Sequence, residues 1–88
     1  MPPTVLPSWF KQRQCKAEPA GSDHVLRLTG PNLGEAFISI RPTDNQRWQA
    51  ALHLAPDGAD VAVTEPELET PRDAWDAAFE LYRTHVIV

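Results

Sequence analysis

A one-sided helix near the C-terminus narrows most sharply what this chain can fold into. Trp75, Ala78, Phe79 and Tyr82 stand at i, i+3, i+4 and i+7, one apolar stripe wide enough to cover a sheet, while Asp76, Glu80 and Arg83 take the other side. Three signals mark its start. Thr70 can cap with its hydroxyl, Pro71 suits the first helical position where no N–H is needed, and Asp73 stands where a capping-box acid answers the helix N-terminus. Together they predict a helix over residues 71–84. Its stripe must be buried against something, and the residues upstream supply the surface.

Residues 47–55 alternate, with Trp48, Ala50, Leu52 and Leu54 on one face and Gln49, Ala51 and His53 on the other, the period of a strand. Pro56-Asp57-Gly58 turns the chain into residues 60–64, where Val61 and Val63 are expected to face inward with Leu52 and Leu54, leaving Ala62 and Thr64 outside. Glu65-Pro66 ends that strand, because proline cannot donate to a ladder. Two earlier strands are predicted over residues 24–29 and 35–41, separated by Gly30-Pro31-Asn32-Leu33-Gly34. Leu26 and Leu28 share one face of the first; Ala36, Ile38 and Ile40 share one face of the second. Short strands joined by short loops argue for antiparallel neighbours, since parallel pairing needs a long crossover each time. The expected fold is therefore α+β, an antiparallel β-meander of about four strands packed on one C-terminal α-helix in the order β-β-β-β-α.

A chain of 88 residues has room for one hydrophobic core, so residues 1–88 are read as a single domain. Its first 22 residues are the least defined. Ser8 can cap a short N-terminal helix beginning Trp9-Phe10-Lys11-Gln12, whose aromatics would cover an edge of the core. The alternative is a mobile arm over residues 1–16 followed by a flexible linker over residues 17–22. The tail His85-Val86-Ile87-Val88 is equally open: a final turn, an added edge strand, or a contact made only with another chain.

Cys15 is the only cysteine and can form no internal disulfide, which for so small a domain points to a reducing compartment, the cytoplasm. The N-terminus has no basic region leading into an apolar run, and no apolar stretch is long enough to span a bilayer, so no membrane association is expected. The net charge of -4 hides an uneven map. Residues 1–16 carry Lys11, Arg13 and Lys16 without an acid, whereas residues 57–80 hold eight acids against Arg72 alone, a net -7. The acidic half would repel a polyanion.

Nothing in the chain spells out a reaction. His24, His53, His85 and Cys15 are widely separated and lack the close pairs that zinc sites use, so no metal is expected. Cys15 has no base or orienting group nearby in sequence, and the acids Glu65, Glu67 and Glu69 more simply favour the positive end of the following helix. The glycines match no phosphate-binding fingerprint. The expectation is a protein that is not an enzyme and carries no cofactor.

The informative constellation is the outer face of the sheet, formed by the residues that alternate with the core set: Val25, Arg27 and Thr29; Phe37, Ser39 and Arg41; Gln49, Ala51 and His53; and Ala62 with Thr64. A sheet facing solvent should be mainly polar, so Phe37 and Val25 stand out. Either residues 1–16 fold back over this face, or a second copy covers it, or it recognises a ligand. In the last case Arg27 and Arg41 would read phosphate or carboxylate and Phe37 would offer a stacking surface, with Gln49 and His53 completing the candidate binding site.

The run Arg47-Trp48-Gln49-Ala50-Ala51-Leu52, a glycine turn, a second strand and Asp73-Ala74-Trp75-Asp76-Ala77-Ala78 resembles the small sheet-plus-helix DNA-binding domains of phage-type integrases and AP2 proteins. It is similar also to the sheet-and-helix part of HicB-type antitoxins. The first resemblance implies DNA contact by an exposed three-stranded sheet; the second implies neutralisation of a toxin through protein contacts. Each covers about 40 residues and a pattern that many folds share. The acidic balance weighs against duplex binding, which phosphate neutralisation dominates. The expected function is a small protein-interaction module, self-associating as a homodimer or docking one protein partner, with nucleic-acid binding through the exposed sheet face as the alternative.

Overall fold

The computed structural model describes residues 6–21, 24–31, 33–55 and 58–87. Five antiparallel strands lie in sequence order: β1 (Lys16–Pro19), β2 (Val25–Gly30), β3 (Leu33–Pro42), β4 (Trp48–His53) and β5 (Asp60–Val63). A short helix, α1 (Ser8–Gln12), precedes them, and α2 (Pro71–Tyr82) follows and runs into a π-helical turn, Arg83–Ile87. The fold is the α+β meander with a C-terminal helix that the periodicity predicts. The radius of gyration, 12.0 Å, is what one compact unit of this length should have.

The expected signals build α2. Thr70 accepts a hydrogen bond from the Asp73 N–H at 3.1 Å, and Pro71 occupies the first turn. Trp75, Ala78, Phe79 and Tyr82, joined by Ala74, are buried against Leu26, Leu28, Ala36, Ile38, Ile40, Ala50 and Leu52. Arg83 donates to Glu80 at 2.8 Å on the solvent side. The tail takes the first of its three options, a final turn, with Val86 packed on the core; Val88 lies outside the described residues.

Between Leu6 and Gly21 the chain forms a short helix, a turn and a strand in place of an arm and linker; residues 1–5 and Ser22 lie outside the described residues. The short helix forms, but Ser8 is its first residue rather than its cap; Pro7 holds the cap position with no side-chain bond. Its C-terminus closes as a Schellman motif: Gln14, at φ 58°, donates to the Lys11 carbonyl at 3.0 Å, and the Cys15 N–H reaches the Phe10 carbonyl at 3.2 Å. That turn sends Cys15 into the core and the chain into β1, a strand that alternation in Lys16-Ala17-Glu18-Pro19 does not announce. Pairing of Ala17 with Leu28 and of Glu18 with Arg27 places it, and an edge strand tolerates Pro19. The sheet has five strands rather than four for this reason.

Strand β5 is the second correction. Ala51 pairs with Val63 and Leu52 with Ala62, after which a bulge sets Asp60 opposite His53. Ala62 therefore packs on the core, while Val61 and Val63 point outward, the reverse of the expectation. Leu54 lies past the end of β4 and is exposed, not part of the inner face. Polar ties at both ends hold this register: Thr64 donates its N–H to the Ala50 carbonyl at 2.9 Å and accepts the Ala50 N–H on its hydroxyl at 3.0 Å, and Asp60 pairs with Arg41. The Pro56-Asp57 part of the preceding turn lies outside the described residues.

Candidate binding face of the sheet

Alternation places Arg27, Phe37, Arg41, Gln49 and His53 together on the face turned away from α2. Arg27, Phe37 and His53 form one cross-strand row and Arg41 with Gln49 another, because β3 pairs residue by residue with both neighbours there. The segment Leu6–Cys15 does not cover this face. It packs on the opposite side, where the Phe10 ring lies 5.3 Å from Phe79 and 6.1 Å from Tyr82.

Each of the five residues is engaged by its neighbours. Phe37 is 3% exposed and His53 6%, and their rings stack at 5.7 Å with an 11° tilt, so the aromatic surface expected to stand open is covered. His53 Nδ1 lies 2.8 Å from the Ala55 carbonyl, an acceptor only, so Nδ1 carries the proton and donates. Arg27 pairs with Glu18 at 2.7 Å and with Glu35 at 3.6 Å, and Arg41 Nη2 donates to both Asp60 oxygens at 3.1 Å. Gln49 Nε2 donates to the Thr64 carbonyl at 2.9 Å. The Arg41–Asp60 pair joins β3 to β5 diagonally across β4. Its path crosses Ala51, which is fully buried on this face and small enough to pass beneath.

The arrangement is therefore a closed polar lid over a small buried patch, with charge at its rim. Exposed ion pairs of this kind contribute about 0–1 kcal/mol each, so they set register and partner preference more than stability. A separate open groove of about 560 Å³ lies where the β3–β4 hairpin meets the approach to α2; Asn45, Arg47, Pro66, Glu67 and Glu69 line it, with Arg47 paired to Glu69 at 3.4 Å. Among the described residues no cluster of histidine, cysteine, aspartate and glutamate is arranged to hold a metal, and no helix is long and apolar enough to cross a membrane.

Sequence reasoning missed one polar group because it sits within the helix stripe. Tyr82 is fully buried; its hydroxyl makes no hydrogen bond of good geometry, and the Cys15 thiol is the polar group that faces it. Burial first, and then the neighbouring Cys15, push this phenol from its ordinary 10.0 up to about 12. An unfolded chain thus releases the proton near pH 10 while the folded chain keeps it. The stability tied to Tyr82 is complete below pH 10 and is lost as pH rises toward 12, by roughly 2–3 kcal/mol. Denaturant unfolding of the native chain should show that loss and Tyr82→Phe should not; Tyr82 is the only tyrosine, so absorbance reports its ionisation directly.

No family model, curated protein or solved structure matches the chain, so neither the integrase and AP2 resemblance nor the HicB resemblance gains a relative in support.

Proposed function

We propose that this chain is a non-enzymatic protein-interaction module that docks a partner on its β5 edge, a second copy being the occupant to test first. The observation that carries the reading is the exposure of Leu54, Val61 and Val63, at 58%, 52% and 48%, where β4 passes to β5. Apolar side chains gathered at one sheet corner favour association over hydration. The backbone adds direction. Since Thr64 spends its N–H on Ala50, antiparallel alternation turns the peptide groups of Val63 away from β4, where an added strand can take them. The opposite edge is closed to such pairing by Lys16, Glu18 and Pro19. With one open edge, a pair of chains forms a closed two-fold dimer rather than a filament.

Nucleic-acid binding has less support, because Arg27 and Arg41 already face carboxylates and the Phe37 ring is stacked on His53. Light scattering across a concentration series tests the dimer. Val61→Lys with Val63→Lys should weaken it by roughly tenfold or more while leaving the thermal midpoint nearly unchanged, since both side chains point outward. A native chain that stays monomeric at its highest soluble concentration overturns the second copy as partner.

A further inference from the structure

The backbone of β5 dictates how a second copy meets it, a conclusion that rests on the β5-edge dimer proposed above. The Thr64 N–H bonds the Ala50 carbonyl at 2.9 Å, so the Val63 carbonyl, in the same rigid peptide unit, points away from β4. Leu52 pairs with Ala62 in the same ladder, and alternation therefore turns the Val63 N–H and the Val61 carbonyl outward as well. A two-fold mate presents the same row of groups reversed. Charge permits the approach. Between Asp60 and Thr64 the only ionisable side chain is Asp60, and Arg41 of the same chain holds both its oxygens at 3.1 Å. Two β5 strands thus meet without like charges facing across the seam, although the chain as a whole carries -4.

Side chains choose among the registers open to the two-fold axis. An axis at Val63 sets Val61 against Glu65 of the second copy, and an axis at Val61 sets Val63 against Ala59. An axis at Ala62 sets each Val61 against the other copy's Val63, so that the outward valines of both chains close one apolar patch. We infer that two copies join β5 to β5 about an axis at Ala62, each Val63 N–H donating to the Val61 carbonyl of the other chain. The two meanders become one continuous sheet, five strands from each copy, with both α2 helices on the same side.

Cysteine pairing tests the register. Val61→Cys and Val63→Cys chains, each also carrying Cys15→Ala, are oxidised with copper phenanthroline either separately or after mixing under reducing conditions, and cross-linking is read on non-reducing denaturing gels. Directly opposite residues of an antiparallel pair have Cα atoms about 5.5 Å apart, within disulfide reach, whereas diagonal ones stand about 7–8 Å apart. The mixture should therefore form covalent dimer at least about tenfold faster than either variant alone. Both substituted side chains point outward, so each variant should melt with the Cys15→Ala chain, which a thermal scan checks. Faster cross-linking of either variant with itself overturns the register and leaves the β5 edge as the interface. A dimer in light scattering that none of these thiols cross-links overturns the register and the edge together, and so does a native chain that stays monomeric.

Discussion

Phe10→Ala will lower the unfolding free energy by about 3–5 kcal/mol, a large share of what so small a domain has. The ring is fully buried and meets three aromatic neighbours: Trp9 at 5.8 Å, Phe79 at 5.3 Å nearly edge-on, and Tyr82 at 6.1 Å. Its backbone carbonyl is also the acceptor that closes the Schellman turn. Helix α1 has five residues and no side-chain cap, so this ring, with Leu6 and Trp9 beside it, holds the helix to α2. The loss should therefore reach beyond one cavity. Urea unfolding should show a lower midpoint, and amide exchange should speed up over α1 and β1 before the rest of the sheet. A change under about 1 kcal/mol would show that the N-terminal segment is not part of the cooperative unit.

Phe37→Ala should cost a similar amount, about 3–5 kcal/mol, although the residue lies on the face away from α2. At 3% exposure, with one ring face against His53 and Arg27 directly across the ladder, Phe37 is a packed side chain and not a platform. Phe37→Leu, which keeps most of the volume, should recover the larger part of the loss. Were the ring open to solvent, its removal would change stability by no more than about 0.5 kcal/mol, so the same denaturation series separates a buried lid from a binding surface.

Much of the fold was legible because its signals are short-range. The cap at Thr70, the proline at Pro71 and the stripe through Tyr82 act within one helix, and each stands where the spacing puts it. Strands β2, β3 and β4 alternate strongly enough that Leu26, Ile38 and Leu52 could face only one way. The five candidate site residues share a face for the same reason, since alternation in those strands places both faces at once. Their engagement by neighbours was not legible. Glu18, Glu35 and Asp60, which neutralise Arg27 and Arg41, come from other strands and from beyond a bulge.

Local pattern by itself determined the helix, its cap, the three central strands and the direction of their side chains, because period and capping depend on residues a few positions apart. Only the tertiary structure decided that Lys16–Pro19 is a strand, that Val61 and Val63 turn outward, and that Phe37 is covered. Each of those outcomes depends on a partner distant in sequence: Leu28 and Arg27 for β1, Ala50 and Arg41 for β5, His53 for Phe37. An edge strand has one neighbour and a weak alternation of its own, so the ladder beside it chooses its register.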